Sequence, residues 1–485
     1  MRVEIHLLML LVWVGCGGNP PGAEPDGSDD TGGDPWFPCE ECDDGNPCTM
    51  GRCNPETRFC ENIPLDLDGD RYPARSAPDG TWCGGIDCDD ADPTTHPGAR
   101  EVCGDGVDQD CDDVVDGFEV IGEPVRVSYT GNTAFLPDVV WTGSGFAISW
   151  TERSGSGGTN VIHLSTLSAE GELIDDTHAV LEAQDISNLL WTGSHLVLAW
   201  SDATSRLSLV GMLPDGTEQW TAENLFTSGG AALVWTGSRI GALWEVSGSS
   251  TETDILFMLL DDTGVPVGPE VGVDDDRPYF DRHASLAWTG SAFLAAWQGW
   301  NDDGYIDVYL RSIGSAGEPL GSSTQLTTRG DTYSPPHIAW SGSTFGISAG
   351  NSWSGVHLLR ADREGYLTGE PTRVSPPGQQ AAGHDLLWAG SLFVVSWSVG
   401  QYEGGSPAVV LVDAEGEVVS DVIYASPEGT AQAARWDGGP IHAMAWTGSE
   451  VGLAWSDWRD DAETRDCTVE WCDFQIYFAR LGWCE

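Results

Sequence analysis

The sequence predicts an all-β protein: a seven-bladed β-propeller preceded by an N-terminal, disulfide-rich, irregular module dense in carboxylates. Three observations predict it. The tetrapeptide Trp-(Thr/Ser/Ala)-Gly-Ser recurs at Trp141, Trp191, Trp235, Trp288, Trp340, Trp388 and Trp446, at intervals of 44 to 58 residues, a period suited to four-stranded blades. Gly and Pro number 62 and 27, too many for a helical chain but normal for many short strands joined by turns. The 13 Cys crowd towards the two ends of the chain.

Each repeat reads the same way. An apolar strand runs into the first Trp, as in Val139-Val140 or Leu189-Leu190, and Thr-Gly-Ser turns the chain back. The returning strand ends on a second Trp nine positions later, at 150, 200, 244, 297, 397 and 455; only repeat five departs, with Ala349. In that strand large residues alternate with small ones, which suits a blade packed on both faces. A third strand follows (Val161-Ile-His-Leu-Ser, Ile306-Asp-Val-Tyr-Leu), then a Gly turn and a fourth (Gly171-Glu-Leu, Gly264-Val-Pro, Gly317-Glu-Pro, Gly369-Glu-Pro, Gly416-Glu-Val). Repeat seven stops after its third strand, Gln475-Ile-Tyr-Phe-Ala. Gly122-Glu-Pro-Val-Arg-Val-Ser128, ahead of repeat one, matches the fourth-strand stretch Gly369-Glu-Pro-Thr-Arg-Val-Ser375. The expectation is closure by strand exchange between the two ends. The pattern resembles bacterial propeller repeats of the Trp/Asn-Gly-x-x-Leu-Val-Val-Trp kind found in exported proteins, over about residues 120–485.

Charge narrows the function. The chain has 21 basic residues, all Arg, against 76 acidic ones, a net charge of −55. That excludes electrostatic binding to nucleic acids or anionic membranes. The absence of Lys removes Schiff-base chemistry and a P-loop. No catalytic constellation is recognised, and the expectation is that the chain is not an enzyme. Gly346-Ile-Ser348-Ala-Gly350 spells the nucleophile-elbow pattern but falls in a strand, not at a strand-to-helix turn. His283, His337, His384 and His442 precede the repeat Trp at unequal offsets and read as partly exposed loop-end residues. The regular Trp read as core. The irregular ones, Trp300, Trp353 and Trp458, fall in loops and are candidates for a ligand surface.

The N-terminal part divides in order. Residues 5–14 form a short apolar run ending in Gly15-Cys16, too short to span a membrane and typical of a signal segment over residues 1–15. The run resembles a bacterial lipoprotein signal, which implies lipidation of Cys16; a plain secretory signal is the alternative. Residues 16–38 read as a flexible linker, 39–62 as a Cys-rich repeat, 63–118 as a metal-binding module and 119–485 as the propeller. The segment Cys42-Asp-Asp-Gly-Asn-Pro-Cys48-Thr-Met-Gly-Arg-Cys53 through Cys60 resembles small disulfide repeats of myxobacterial surface proteins. Behind a signal segment an even Cys count reads as disulfides. The four at 42–60 (Cys42, Cys48, Cys53, Cys60) can pair among themselves, as can Cys83, Cys88, Cys103 and Cys111. Cys467 and Cys472 can close their own hairpin, and parity leaves Cys39 for Cys484.

Asp66-Leu-Asp68-Gly-Asp70-Arg-Tyr72 places three Asp at alternate positions, with a backbone carbonyl at Tyr72 available as a further oxygen. Alternating Asp in a tight loop converge on one point, which suits a hard cation wanting six to eight oxygens. Asp108, Asp110, Asp112 and Asp116 repeat the alternation, and Asp87, Asp89 and Asp90 are candidates to complete either set. The stretch 66–117, with Asp87-Cys-Asp-Asp, Pro97-Gly-Ala, Glu101-Val-Cys and Asp108-Gln-Asp-Cys-Asp, resembles the bacterial MopE-type metal-binding-motif family and is similar in pattern to thrombospondin type-3 calcium repeats. The oxygen-only set points to Ca²⁺. The expectation is therefore an exported cell-surface or outer-membrane lipoprotein, touching the membrane only through its lipid. Its calcium-binding stalk carries a propeller that binds a protein or glycan partner. The rival reading is a propeller hydrolase acting on polysaccharide.

Overall fold

The structure is a computed structural model that describes residues 42, 44–54, 60–97, 99, 107–111, 117–129, 132–153, 160–174, 178–182, 185–202, 204–227, 230–247, 253–275, 280–327, 335–351, 355–379, 381–399, 407–426, 442–457 and 474–483. The chain divides into two compact units, one up to Gly117 and one from Phe118. Cys16, Cys39, Cys103, Asp112, Asp116, Trp353, Trp458, Cys467, Cys472 and Cys484 lie outside the described residues, and with them the expected Cys39–Cys484 bond.

From Phe118 the strands form seven four-stranded antiparallel sheets. Blade 1 runs through Thr133–Trp141, Gly145–Arg153, Asn160–Ser168 and His178–Glu182, and blade 4 through Asp281–Trp288, Ala292–Trp300, Ile306–Gly314 and Pro319–Gln325. Blades 2, 3, 5 and 6 repeat this order. The first strand of each blade touches the first strand of the next, and that of blade 7 touches that of blade 1, so the ring is closed around these innermost strands.

The repeat motif makes the turn between first and second strands. Thr142 donates its hydroxyl to the Gly145 carbonyl at 2.8 Å, and Gly143 takes φ 91°, a left-handed value that a side chain resists. In four repeats the first Trp then lies half-buried on a Phe five positions on, as in Trp288–Phe293 at 4.4 Å between ring centroids; Leu196, Ile240 and Val451 take that place in the others. The second Trp fills the wedge between blades: Trp150, Trp244, Trp297, Trp397 and Trp455 are at most 1% exposed. Trp200 is half-buried, and Ala349 stands buried where repeat five lacks the ring.

The ring closes with a strand from the N-terminal side. Phe118–Arg126 is the outermost strand of blade 7, antiparallel to Gln475–Trp483. The shared Arg-Val-Ser stretch has a structural reason. Arg126 Nε donates to the Ser128 carbonyl at 2.7 Å, and the Ser128 hydroxyl accepts the Ile476 amide at 2.8 Å. In blade 5 Arg373 and Ser375 make the same pair of bonds, at 3.0 Å to the Ser375 carbonyl and 3.0 Å from the Val356 amide. One hydrogen-bonding device thus ends the outer strand in both places.

The N-terminal unit has little apolar core: Leu65, Ala74 and Ala77 form its buried cluster. A hairpin of Thr49–Cys53 against Cys60–Pro64 leads into loops held by disulfides Cys42–Cys60, Cys48–Cys83 and Cys88–Cys111. The second corrects the expected pairing within separate groups of four. The Leu65 amide bonds the Cys48 carbonyl at 3.0 Å, and an antiparallel bridge joins Ser76 to Trp82. Those contacts fold residues 65–83 back on the base of the hairpin, so Cys48 meets Cys83.

Candidate metal centre

Two loops supply the centre, and backbone bonds bring them together. The Asp87 amide and the Ile86 amide both reach the Pro73 carbonyl at 3.1 Å, and the Arg75 amide bonds the Asp87 carbonyl at 2.7 Å. The approach is close enough that a Cβ on Gly85 would lie 2.1 Å from the Pro73 carbonyl oxygen, so only Gly fits. Carboxylate oxygens of Asp66, Asp68 and Asp70 lie within 4.8 Å of one another, as do those of Asp68, Asp87 and Asp90. Asp68 belongs to both groups.

The carboxylates divide their oxygens between two tasks. One oxygen of each holds the loop: Asp66 Oδ1 accepts the Gly69 amide at 2.8 Å, Asp68 Oδ1 that of Asp70 at 3.1 Å, and Asp70 Oδ1 that of Tyr72 at 2.7 Å. Asp87 Oδ1 accepts the Asp89 amide at 2.9 Å, and Asp90 Oδ2 accepts the Leu67 amide at 3.1 Å across the two loops. The other oxygens, Asp68 Oδ2, Asp70 Oδ2, Asp87 Oδ2 and Asp90 Oδ1, are buried with no hydrogen-bond partner. An uncompensated buried carboxylate is strongly unfavourable. Two groups of such oxygens that share Asp68 are the arrangement a cation would satisfy.

The electrostatics agree. Burial pushes the Asp87 carboxyl up to about 6, and the charges of Asp70, Asp68 and Asp90 add to it. Burial raises Asp90 as well, with Asp68, Asp66 and Asp70 contributing. Asp79 and Asp92 sit on the surface of the same unit with a Thr side chain donating to each, and both are lowered.

Of the other expected ligands, Asp89 is exposed and accepts the Ala91 amide at 3.3 Å, so it shapes the turn and stays outside both groups. Tyr72 stacks its ring on His96 at 4.6 Å, a contact that sequence spacing did not suggest. Among the described residues Asp108 and Asp110 join no cluster of three. Asp87 also lies near the sulfurs of Cys88 and Cys111, but these are bonded to each other and are not thiolate ligands. The donor set is oxygen only, which suits a hard cation.

The propeller channel carries a second polar constellation, on the innermost strands. Asp138, Asn188, His337 and Asp385 each stand three residues before the repeat Trp. Each reaches the next blade. Asp138 accepts the Leu189 amide at 2.7 Å, Asn188 the Leu233 amide at 3.2 Å, and Asp385 the Met444 amide at 3.0 Å; His337 pairs with Asp385 at 3.1 Å. Inner strands are sheet edges, and these side chains satisfy amides that would otherwise be left open. Burial pushes Asp138 up to about 6, with Asp385 adding to the rise. Burial also raises Asp385, but the His337 hydrogen bond and charge outweigh it and hold that carboxyl below its usual range.

The histidines correct the sequence expectation. His384 and His442 are 2% and 0% exposed, not loop-end residues. His384 Nδ1 pairs with Ser348 Oγ at 2.9 Å and His442 Nε2 with Ser396 Oγ at 2.8 Å, each crossing to the preceding blade. Burial holds His384 well below the ordinary range and His442 at about 4. Ser348 is fully buried in mid-strand, so its Ser–His contact is a blade-to-blade tie with no approach for a substrate. His283 is half-buried at φ 53°, bonded to Gln298 at 2.9 Å. It sits five residues before its Trp, as do Leu136 at φ 52° and Gly383 at φ 49°. All three mark bulges in the inner strand; the unequal offsets have a separate cause, since His384 and His442 oppose the second Trp of their blades whereas His337 takes the position of Asp385, opposite a Ser.

The family model Cu-binding MopE, described as "Putative metal-binding motif", matches residues 87–117. No curated protein matches the chain. Among solved structures, the β-propeller domain of the trilobed protease from Pyrococcus furiosus is 8% identical with a TM-score of 0.43, over 74% of this chain and 97% of that one. A protein of unknown function from Dyadobacter fermentans is 12% identical with a TM-score of 0.43, over 76% and 99%. A prolyl endopeptidase is 15% identical with a TM-score of 0.42, over 69% of this chain and 46% of its own. The seven-bladed architecture stands on the strand pairings themselves.

Proposed function

We propose that the chain is an exported surface protein, anchored by lipid at Cys16, in which a calcium-held stalk carries a propeller that serves as a recognition platform. The stalk is carried by one observation, the four buried and unpartnered carboxylate oxygens of Asp68, Asp70, Asp87 and Asp90. Their oxygen-only chemistry favours Ca²⁺ over copper despite the name of the matching family. The matching motif begins at Asp87, and Asp66, Asp68 and Asp70 complete the set from the preceding loop.

Binding is favoured over hydrolysis by the state of the channel acids. A raised Asp138 and a lowered Asp385 have the spread of a general acid and base. Yet both oxygens of each are occupied: Asp138 by the Val139 and Leu189 amides, Asp385 by the Leu386 and Met444 amides. They stitch blades together.

Calorimetric titration of Ca²⁺ into the chelator-treated full chain tests the stalk. Extracellular calcium modules bind at about 10⁻⁴–10⁻³ M, and a saturable heat in that range is expected. It should vanish in Asp68→Asn/Asp87→Asn. A full-strength heat in that variant, or none in the wild type, removes the assignment. Labelling of intact cells with a membrane-impermeant reagent, in wild type and in Cys16→Ala, tests the anchor: release of the variant into the medium is expected, and equal retention contradicts it.

A further inference from the structure

Blade 4 ends, where its second strand turns into its third, in a row of exposed rings. Asp281 pairs with Gly299 and Trp300 with Ile306. One step beyond the first pair Phe280 stands opposite Trp300, whose amide donates to the Phe280 carbonyl at 3.3 Å. Opposed residues share a face, so Phe280, Trp300 and Ile306 make one cross-strand row over two strand gaps, about 10 Å. Phe280 is 41%, Trp300 37% and neighbouring Tyr305 52% exposed.

The hairpin under this row is held rigidly. Asn301 Oδ1 accepts the amides of Asp303 and Tyr305, both at 2.9 Å. Its Nδ2 donates to Asp307, a fully buried carboxylate that also accepts from Gln325 Nε2 at 2.9 Å and the Thr327 hydroxyl at 2.8 Å. Burying a carboxylate opposes folding unless donors surround it. Here one is buried to fix a surface turn, the kind of support a preorganised site has.

The position in the ring is also distinctive. Trp300 shares its face with Ala296, which packs on Ile338, Phe345 and Ile347 of blade 5. Trp300 therefore ends the strand face that packs towards blade 5, while the Phe280 backbone bridges Thr253 of blade 3. The seam between blades 4 and 5 is where Ala349 replaces the wedge Trp, whereas Trp297 and Trp397 fill the seams on either side.

We infer that Phe280 and Trp300 form a binding subsite for an uncharged saccharide. The inference rests on the platform reading and supplies its ligand class. The two rings stand one strand gap apart, about 5 Å, close to the width of one pyranose ring, whose C–H face stacks on aromatic rings. Exposed Arg282, Asp302 and Asp303 border the row and give hydroxyl groups both donors and acceptors. A net charge of −55 opposes a polyanion, and so selects neutral glycans among polymers.

The experiment measures retention of the purified full chain on immobilised cellulose, β-1,3-glucan, α-mannan and starch. It compares Trp300→Ala and Phe280→Ala with Tyr366→Ala, an exposed ring on another hairpin of the propeller. Far-ultraviolet circular dichroism and melting establish that each variant is folded. Wild type and Tyr366→Ala should be retained on at least one polymer and released by its soluble oligosaccharide. Trp300→Ala and Phe280→Ala should each weaken retention at least tenfold. No retention of folded wild type on any polymer overturns the saccharide. Retention that survives both substitutions overturns this site while leaving the platform reading standing. The platform reading itself falls if the wild type also fails to bind intact cell-surface material.

Discussion

The two units of this protein solve the stability problem in opposite ways. The propeller buries a ring of apolar clusters, each seam carrying large side chains at or near zero exposure, such as Phe257, Phe293 and Trp297 between blades 3 and 4. Among its described residues the N-terminal unit has Leu65, Ala74 and Ala77 as its buried apolar cluster, with three disulfides and a set of carboxylates that repel one another until neutralised. One unit is held by the apolar surface it hides from water. The other is held by covalent links and, on the proposed reading, by a cation. A perturbation of either kind should therefore act on one unit and spare the other.

The largest effect on the propeller side should come from Trp397→Ala, which empties a fully buried site and should cost about 3–5 kcal/mol. Calcium affinity should be unchanged; a parallel loss would show that the units are not independent. Cys48→Ser/Cys83→Ser opens a link across 35 residues and should remove about 4 kcal/mol on the chain-entropy model. With so small a core that should unfold the N-terminal unit. Limited proteolysis should then cut within 65–97 while the propeller stays resistant.

The next effect is pH dependence of the propeller. The folded pKa of His442 is lowered to about 4 from an ordinary value of about 6.5. Its neutral form therefore contributes stability that is present above about pH 6.5 and lost as pH falls towards 4, by about 3 kcal/mol at most. Asp138, raised to about 6, acts in the opposite sense over the same window, because its protonated form is favoured in the folded state. His442→Gln should leave the Asp138 slope alone, so the melting temperature of that variant should rise on acidification from pH 6 to pH 4.5 relative to wild type. Parallel profiles would mean that His442 titrates freely. The smallest effect is expected from Ser128→Ala. It leaves the Ile476 amide without its acceptor and should cost about 1–2 kcal/mol. Ser375→Ala removes the same bond within blade 5, so a faster unfolding rate for Ser128→Ala alone would locate the weak point at the closure.

Legibility in the sequence divides along the same line. The blades were legible because one Trp and one turn recur, and the closure because Arg126-Val127-Ser128 repeats Arg373-Val374-Ser375 in a device that needs those side chains. The loop ligands Asp66, Asp68 and Asp70 were legible from alternation. Asp87 and Asp90 are not separable from Asp89 in the sequence, because Asp87 and Asp89 each spend Oδ1 on the amide two residues on and differ in burial alone. The Cys48–Cys83 bond was hidden because residues 65–83 fold back through backbone contacts that leave no pattern in composition. The inner-strand histidines were misread for a related reason. His384 and His442 lie inside the inner strand, each bonded to a Ser of the preceding blade, and a contact between blades leaves no mark in the spacing along one strand.

On the proposed reading a cation organises the N-terminal unit and leaves the propeller untouched. Hydrogen exchange on the full chain, compared between millimolar Ca²⁺ and chelator, tests it segment by segment. Amides of residues 65–90 should lose protection on chelation, while those of 145–151 should exchange at the same rate in both conditions. Equal protection of 65–90 with and without calcium would contradict the claim.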